Sequence, residues 1–320
     1  MLKKYGKRFL AFALVLSFVI SMSSTFSTEA ASKKVTVYVI SKVTTQAENN
    51  INIHTLKYNK HGQLKSISIK PNNKGVKSFV QKYTYKDKRL KSINFAGTFI
   101  NAVDNKLSTD KQDFAFTYKK GVISKVIETE VFDGGNKTTE TTTFKKGNPT
   151  KKVSKNGSDK TTEVYKYDSK NRIKECIFTD CYGKSKSVST YSYTYNKKDQ
   201  ITCELIDNKD TKNGYKNVFS YNSKGNIKLI KHYTEQPDGK LKLSYTCDVI
   251  NEYDKQGHLT KAAEKTIMGN PTNKVTITYK KISIPKEYLE AVEKQQNDIL
   301  IEADINPSAY HVEYYIHRYL

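Results

Sequence analysis

Apolar and polar residues alternate along most of this chain, and short polar turns interrupt the alternation. Tyr191, Tyr193 and Tyr195 fall on one side of an extended segment, with Ser192 and Thr194 on the other. Phe114, Phe116 and Tyr118 stand against Ala115 and Thr117 in the same way, and Val275, Ile277 and Tyr279 against Thr276 and Thr278. A period of two in Tyr, Phe, Val and Thr marks a half-buried β-strand.

The strands recur in a unit: aromatic-x-Tyr, a polar turn, an aliphatic residue, then another apolar residue about three positions on. Clear copies are LKYNKHGQLKSI (56–67), YKYDSKNRIKEC (165–176) and FSYNSKGNIKLI (219–230). A degenerate copy, TTFKKGNPTKKV, fills 142–153, and ITYKK (277–281) reads as a final half. The anchors Tyr58, Tyr85, Tyr118, Phe144, Tyr167, Tyr195, Tyr221, Tyr253 and Tyr279 lie 23 to 33 residues apart. About eight hairpin repeats are therefore expected. The links between them are also turn-like, as in Asn156-Gly157 and Pro237-Asp238-Gly239, and leave no room for the crossover that parallel strands need. The pattern predicts an all-β fold: a continuous antiparallel meander of about 18 strands, from about Val35 to about Ile284. Laid flat, such a sheet would be over ~80 Å wide, and sheets of this size curl. A spiral or partly closed wrap with the aromatic face inward is expected.

Both ends of the chain depart from this pattern. Residues 1–30 read as an export signal: Lys3, Lys4, Lys7 and Arg8 precede an apolar run, and Thr28-Glu29-Ala30 supplies small residues at a cleavage site. The run is too short to span a bilayer. The repeat domain then occupies 31–284. In 285–320, Pro285 stands at a plausible first helical position, and Leu289, Val292 and Ile299 follow at helical spacing. This acidic helical segment is expected to pack on the sheet or cap its end.

Charge narrows the range of partners. The full chain carries +23; removing 1–30 takes away four basic groups and one acid, leaving +20. Such a balance favours an acidic partner. Nearly all of the positive charge is Lys, whereas base and phosphate readers favour the guanidinium fork of Arg, so sequence-specific nucleic-acid recognition is not expected. Cys176 and Cys203 fall on strands separated by a third, ~9.6 Å apart and too far for a bridge. Free cysteines are the default.

The repeat resembles the YD repeats of the RHS family. The closest copies are Tyr165-Lys166-Tyr167-Asp168 with Arg172-Ile173, and Glu252-Tyr253-Asp254 with Gly257-His258-Leu259; Asn replaces Asp after Tyr58, Tyr195 and Tyr221. The resemblance covers about residues 54–281. It implies a long coiling β-sheet used as a shell or surface stalk. The Gly-Arg-Leu triplet typical of that family is nowhere intact, and the units here are longer.

No nucleophile elbow, phosphate loop, zinc-binding His pair or calcium loop is present, and neither an enzyme nor a cofactor is expected. His311 and His317, with Glu313 between them, lack a third ligand nearby. The repeated tyrosines could serve as sugar platforms, but their inward-facing positions favour packing. The turns themselves are more informative. Those that follow an anchor carry a net +11, and those that connect the units carry +2. Lys60, Lys88, Lys119, Lys120, Lys145, Lys146, Lys170, Lys197, Lys198 and Lys224 would line one rim as a row stepping ~9.6 Å per unit. They are the candidate binding residues, and the expected partner is an anionic cell-wall or surface polysaccharide met by a secreted protein. Two other readings remain. One is a structural shell without a ligand; the other is an outer-membrane barrel, whose lipid-facing side His54, Glu163 and Asn217 would interrupt.

Overall fold

A computed structural model describes residues 33–47, 50–72, 79–86, 88–100, 107–131, 135, 137–182, 185–208, 214–265 and 271–302. Residues 1–30, where an export signal is expected, and the tail from 303 onward, with His311 and His317, lie outside the described residues. All elements fall in one unit, Lys34–Leu320.

The first six strands are β1 (Lys34–Ala47), β2 (Asn50–Tyr58), β3 (Leu64–Pro71), β4 (Phe79–Lys86), β5 (Arg89–Ile100) and β6 (Leu107–Lys119). Next come β7 (Val122–Val131), β8 (Lys137–Lys145), β9 (Asn148–Asn156), β10 (Asp159–Tyr167), β11 (Ile173–Tyr182) and β12 (Ser185–Tyr195). The last six are β13 (Ile201–Asn208), β14 (Tyr215–Tyr221), β15 (Ile227–Glu235), β16 (Leu241–Tyr253), β17 (Leu259–Lys265) and β18 (Pro271–Pro285). A 3₁₀ turn (Lys286–Tyr288) leads into α1 (Leu289–Glu302). Pro285, expected to open the helix, instead ends β18 with extended backbone and precedes the 3₁₀ turn.

Each strand pairs antiparallel with the next, and β1 pairs with both β2 and β18. The eighteen-stranded sheet therefore has no edge. It is a closed barrel, which corrects the expected spiral or partly closed wrap. The physical reason lies at the chain ends. β18 carries an anchor, Tyr279, but no second strand follows it, and β1 supplies that strand from the other terminus. Tyr279 pairs with Ile40 just as Tyr58 pairs with Leu64 inside a hairpin. The final half-repeat and the first strand together make a ninth unit.

A second device curves the sheet. At every anchor the register slips by one residue. Lys57 faces Ser66 while Tyr58 faces Leu64, so Lys65 bulges. The same slip occurs at Tyr85, Tyr118, Phe144, Tyr167, Tyr195, Tyr221 and Tyr253, and at Ser41 in the closing unit. Bulges bend the strand and increase its twist. Nine at one level bend the whole sheet the same way.

The anchors and the aliphatics after each turn share one face, and that face is buried. Leu56, Leu64, Ile173, Ile201 and Ile227 form one cluster with Tyr165 and Tyr193, and Tyr58, Tyr167, Tyr195 and Tyr221 pack against it. Ile93, Phe114, Ile123 and Val126 continue it on β5 to β7. Side chains converge on the concave side of a closed sheet and splay on the convex side. The buried aromatic face is therefore the inner one.

The helix closes over part of this end. Val292 packs with Val39 and Ile284, and Ile299 joins the main cluster. Gln295 Nε2 donates to the Tyr85 hydroxyl at 2.7 Å, and its Oε1 accepts from the Leu64 N–H at 2.6 Å. Gln296 Oε1 accepts from the Ile40 N–H at 2.6 Å. Beneath the helix lies Gly62 at φ +80, where a Cβ would stand 2.6 Å from Ile284 Cγ2 and 3.0 Å from Val292 Cγ2.

Gly62→Ala should therefore lose ~2–4 kcal/mol in urea unfolding, from left-handed strain plus overpacking. Gly157→Ala, at φ +58 with nothing within 4 Å, should lose no more than ~1–2 kcal/mol. Equal losses would mean that α1 does not press on the turn.

Candidate binding surface at the lysine-bearing turns

Five of the turns that follow an anchor are each built from one side chain. Asn59 Oδ1 accepts from the N–H groups of His61 and Gln63 at 2.9 and 3.1 Å. Asp168 does the same with Lys170 and Arg172, Asn196 with Lys198 and Gln200, Asn222 with Lys224 and Asn226, and Asp254 with Gln256 and His258. The residue before the last of these takes a left-handed backbone, at Gly62, Asn171, Asp199, Gly225 and Gly257. This is why Tyr is followed by Asn or Asp, and why Gly or Asn recurs three positions later.

In four of these turns the side chain across the turn matches the acid or amide that follows the anchor. Asn59 Nδ2 donates to Gln63 Oε1, and Asn196 Nδ2 to Gln200 Oε1. Asp168 instead takes the Arg172 guanidinium at 2.5 Å, and Asp254 takes the His258 ring at 2.8 Å. Partial burial works against the charged form of Asp168. The backbone and side-chain bonds from Arg172, with the Lys170 N–H, outweigh it and hold the carboxyl below its ordinary value. Asp254 is held low in the same way by His258 and the Gln256 N–H.

Neighbouring units are then tied together. The anchor hydroxyl donates to the carbonyl of the post-turn residue in the preceding unit: Tyr85 to Leu64, Tyr118 to Leu90, Tyr167 to Pro149, Tyr195 to Ile173, Tyr221 to Ile201 and Tyr279 to Leu259, at 2.5–3.0 Å. Tyr58 closes the circle onto Ile40 of β1 at 2.5 Å. At Tyr253 the hydroxyl turns to Asn226, and Asn251 serves the Ile227 carbonyl. Phe144 has no hydroxyl to give. Burial pushes the Tyr58, Tyr85, Tyr167 and Tyr279 phenols up, so they stay protonated donors. Turn cations also lie over the next unit's ring: Arg172 over Tyr195 at 4.3 Å, Lys224 over Tyr253 at 3.7 Å and Lys280 over Tyr58 at 5.3 Å.

On this scaffold the ten candidate lysines occupy one end of the barrel. The expected row is thus a ring. All ten are exposed, but they are not equivalent. Lys88 donates to the Glu287 carbonyl at 2.7 Å and lies over the Tyr288 ring, and His61, beside Lys60, also packs on Tyr288. The 3₁₀ turn before α1 therefore engages this sector through Lys88 and His61, although Lys60 and Lys88 stay exposed. Away from it, Lys120 at φ 49 and Lys146 at φ 53 precede Gly121 at φ 81 and Gly147 at φ 84 in two-residue hairpin turns. An open groove of about 450 Å³ runs between the Asn196 and Asn222 turns, lined by Lys197, Lys198, Gln200 and Tyr221 among others.

Two polar clusters on the inner face have no motif in the sequence. Lys152 is buried between Glu140 at 2.8 Å and Glu163 at 3.6 Å, and Tyr165 donates to Glu163. Glu204, also buried, accepts from Asn217 Nδ2 at 3.0 Å, and Asn217 Oδ1 meets His232 Nδ1 at 2.7 Å. Burial pushes the Glu204 carboxyl up and the His232 imidazole down, which favours the neutral form of both. Among the described residues no group of His, Cys, Asp and Glu could hold a metal. The four cysteines are free, and Cys176 and Cys181 lie on opposite faces of β11, five residues apart.

No protein-family profile and no curated protein matches the chain. Among solved structures, a porin-like protein from Bacteroides uniformis is similar at 12% identity and TM-score 0.42, with 75% of this chain and 98% of that one covered. A porin-like protein from Bacteroides vulgatus gives 11% identity and TM-score 0.32, with 75% and 98% covered. The TcdB2-TccC3 structure gives 11% identity and TM-score 0.34, covering 81% of this chain and 16% of that one. Likenesses this distant carry no functional inference.

The turn chemistry is testable through Asp168. Asp168→Asn keeps the acceptor and loses the ion pair, so it should cost well under ~1 kcal/mol. Asp168→Ala loses both and should cost ~1–2 kcal/mol. Because the folded carboxyl is held low, its stabilisation is full above the ordinary value of 3.8 and disappears as pH falls through the folded value. The gap between wild type and Asp168→Asn should therefore close in acid. A gap that persists at the lowest pH where the protein folds would contradict the ion-pair account.

Proposed function

We propose that this chain is a non-catalytic, YD-repeat-like secreted or cell-surface protein that binds an anionic cell-wall or surface polymer through the lysines of its turn rim. The observation that carries this reading is the placement of Lys120 and Lys146. Left-handed backbone costs a residue with a Cβ ~1–2 kcal/mol, and Gly, Asn or Asp suits such positions better. Lysine there does not serve the turn, and its exposed ammonium is what remains to account for it. The neighbours Lys119 and Lys145 and the Lys197–Lys198 groove extend the same surface.

A structural shell without a ligand is the alternative, favoured by the circle of hydroxyl bonds, which needs no partner to form. A bilayer-spanning barrel fits the strand number but would need an apolar outer band. The outer face instead carries exposed lysines such as Lys57, Lys82, Lys151, Lys155 and Lys166.

Lys120→Asn with Lys146→Asn separates the two leading readings. The double variant should melt higher than wild type yet bind isolated cell-wall material more weakly. Wild-type binding should fall steeply with salt, as counterion release requires. Salt-independent binding, or full binding by the double variant, would remove support for the rim.

A further inference from the structure

We infer that the polyanion track continues from the rim down the outer wall of β8 to β12, along the length of the strands; this rests on the binding role proposed above. The pleat sorts charge on this wall. Lys155 and Lys160 are direct cross-strand partners on β9 and β10. Lys160 faces Cys181, which in turn faces Lys186. These outward residues form a row at ~4.8 Å per strand, close to the end opposite the rim. Nearer the rim the same face carries Lys145 and Lys151. All five lysines are exposed.

Like charges directly opposite each other destabilise an antiparallel pair, so facing lysines call for a counter-charge. Two of the carboxylates on these strands do not supply it. Glu140 and Glu163 point inward, onto buried Lys152. On another sector the arrangement differs. Outward Lys261 pairs with Glu252, and Lys265 faces Asp248 across the strands. Within β8 to β12 Lys166 is likewise paired, with Glu175 at 2.5 Å, but Lys155, Lys160 and Lys186 face one another or Cys181 across the strands and not a carboxylate.

The chemistry of the track defines the ligand class. Its donors are ammonium groups, with the Thr139 hydroxyl opposite Lys155, and no guanidinium fork for bidentate capture. Lys145, opposite Asn148, and Lys155 stand seven positions apart along β9, ~23 Å, which suits a linear polyanion with one charge per repeat. A compact acidic ligand could not reach both lysines.

The test uses the full mature chain and inorganic polyphosphate in two lengths, one shorter than a strand and one longer, followed by calorimetry across salt. Lys155→Gln/Lys160→Gln/Lys186→Gln removes three charges from the wall. Lys228→Gln/Lys231→Gln/Lys265→Gln removes three from β15 to β17. Circular dichroism and melting establish that both fold, and relief of the facing pair should raise the melting point of the wall variant. The expected result is about a tenfold loss for the long chain in the wall variant alone, with a shallower salt slope and unchanged binding of the short chain. Equal losses in the two variants, or no dependence on length, would overturn the track. Full binding by the wall variant alongside loss in the Lys120/Lys146 variant would overturn it and leave the binding role intact. If wild type binds neither polyphosphate nor wall material, the role itself falls.

Discussion

The bond from seven of the eight anchor tyrosine hydroxyls to a backbone carbonyl of the preceding unit organises the rest of the barrel. A hydroxyl buried on the inner face must find an acceptor, and the post-turn carbonyl beside a bulge is within its reach. To get there the ring lies sideways along the sheet, covering the aliphatic residue beneath. One bond thus fixes the tilt of the tyrosine, the burial of residues such as Ile173 and Ile201, and the spacing of successive turns. Aromatic area and hydrogen bonding act at the same point, and the bulge that exposes the carbonyl also curves the strand. The turn cations stacked on the outer edges of these rings add a further contact between units.

That constraint explains what could and could not be read from the residues. The eighteen strands and their antiparallel order follow from period-two alternation and turn residues, which are local signals. Closure is a long-range event. The chain shows a half-repeat at Tyr279, but nothing beside it in sequence reveals that Ile40 completes it. The lysine turns were legible because they sit at fixed offsets from each anchor. The contact of the 3₁₀ turn with Lys88 and His61 was not, since it depends on where the chain turns after Pro285. Nor was the left-handed geometry at Lys120 and Lys146, where the Lys-Gly sequences imitate Asn-Gly without its chemistry. The inner clusters around Lys152 and Glu204 join residues from three strands or more and leave no linear motif.

Charge follows the same division between local and global. A net basic sequence says only that the surface is positive somewhere. The pleat of a closed sheet assigns each residue to the lumen side or the solvent side. Lys151 and Lys152 are adjacent in the chain, yet one is exposed and the other is buried between two glutamates. Much of the acidity within the strands is turned inward, so the outer wall is more basic than composition suggests.

The pairing of β1 with β18 has a consequence for assembly. The strand that emerges first from synthesis acquires one of its two neighbours last, after nearly the whole chain has been made. Until then its outer edge carries a row of unpaired amides and carbonyls, and contact between residues this far apart slows folding. The same edge is complementary to the last strand of any other copy. Unpaired edges of this kind are templates on which separate chains pair, so the closure of β1 on β18 within one chain also removes the edge through which copies could associate.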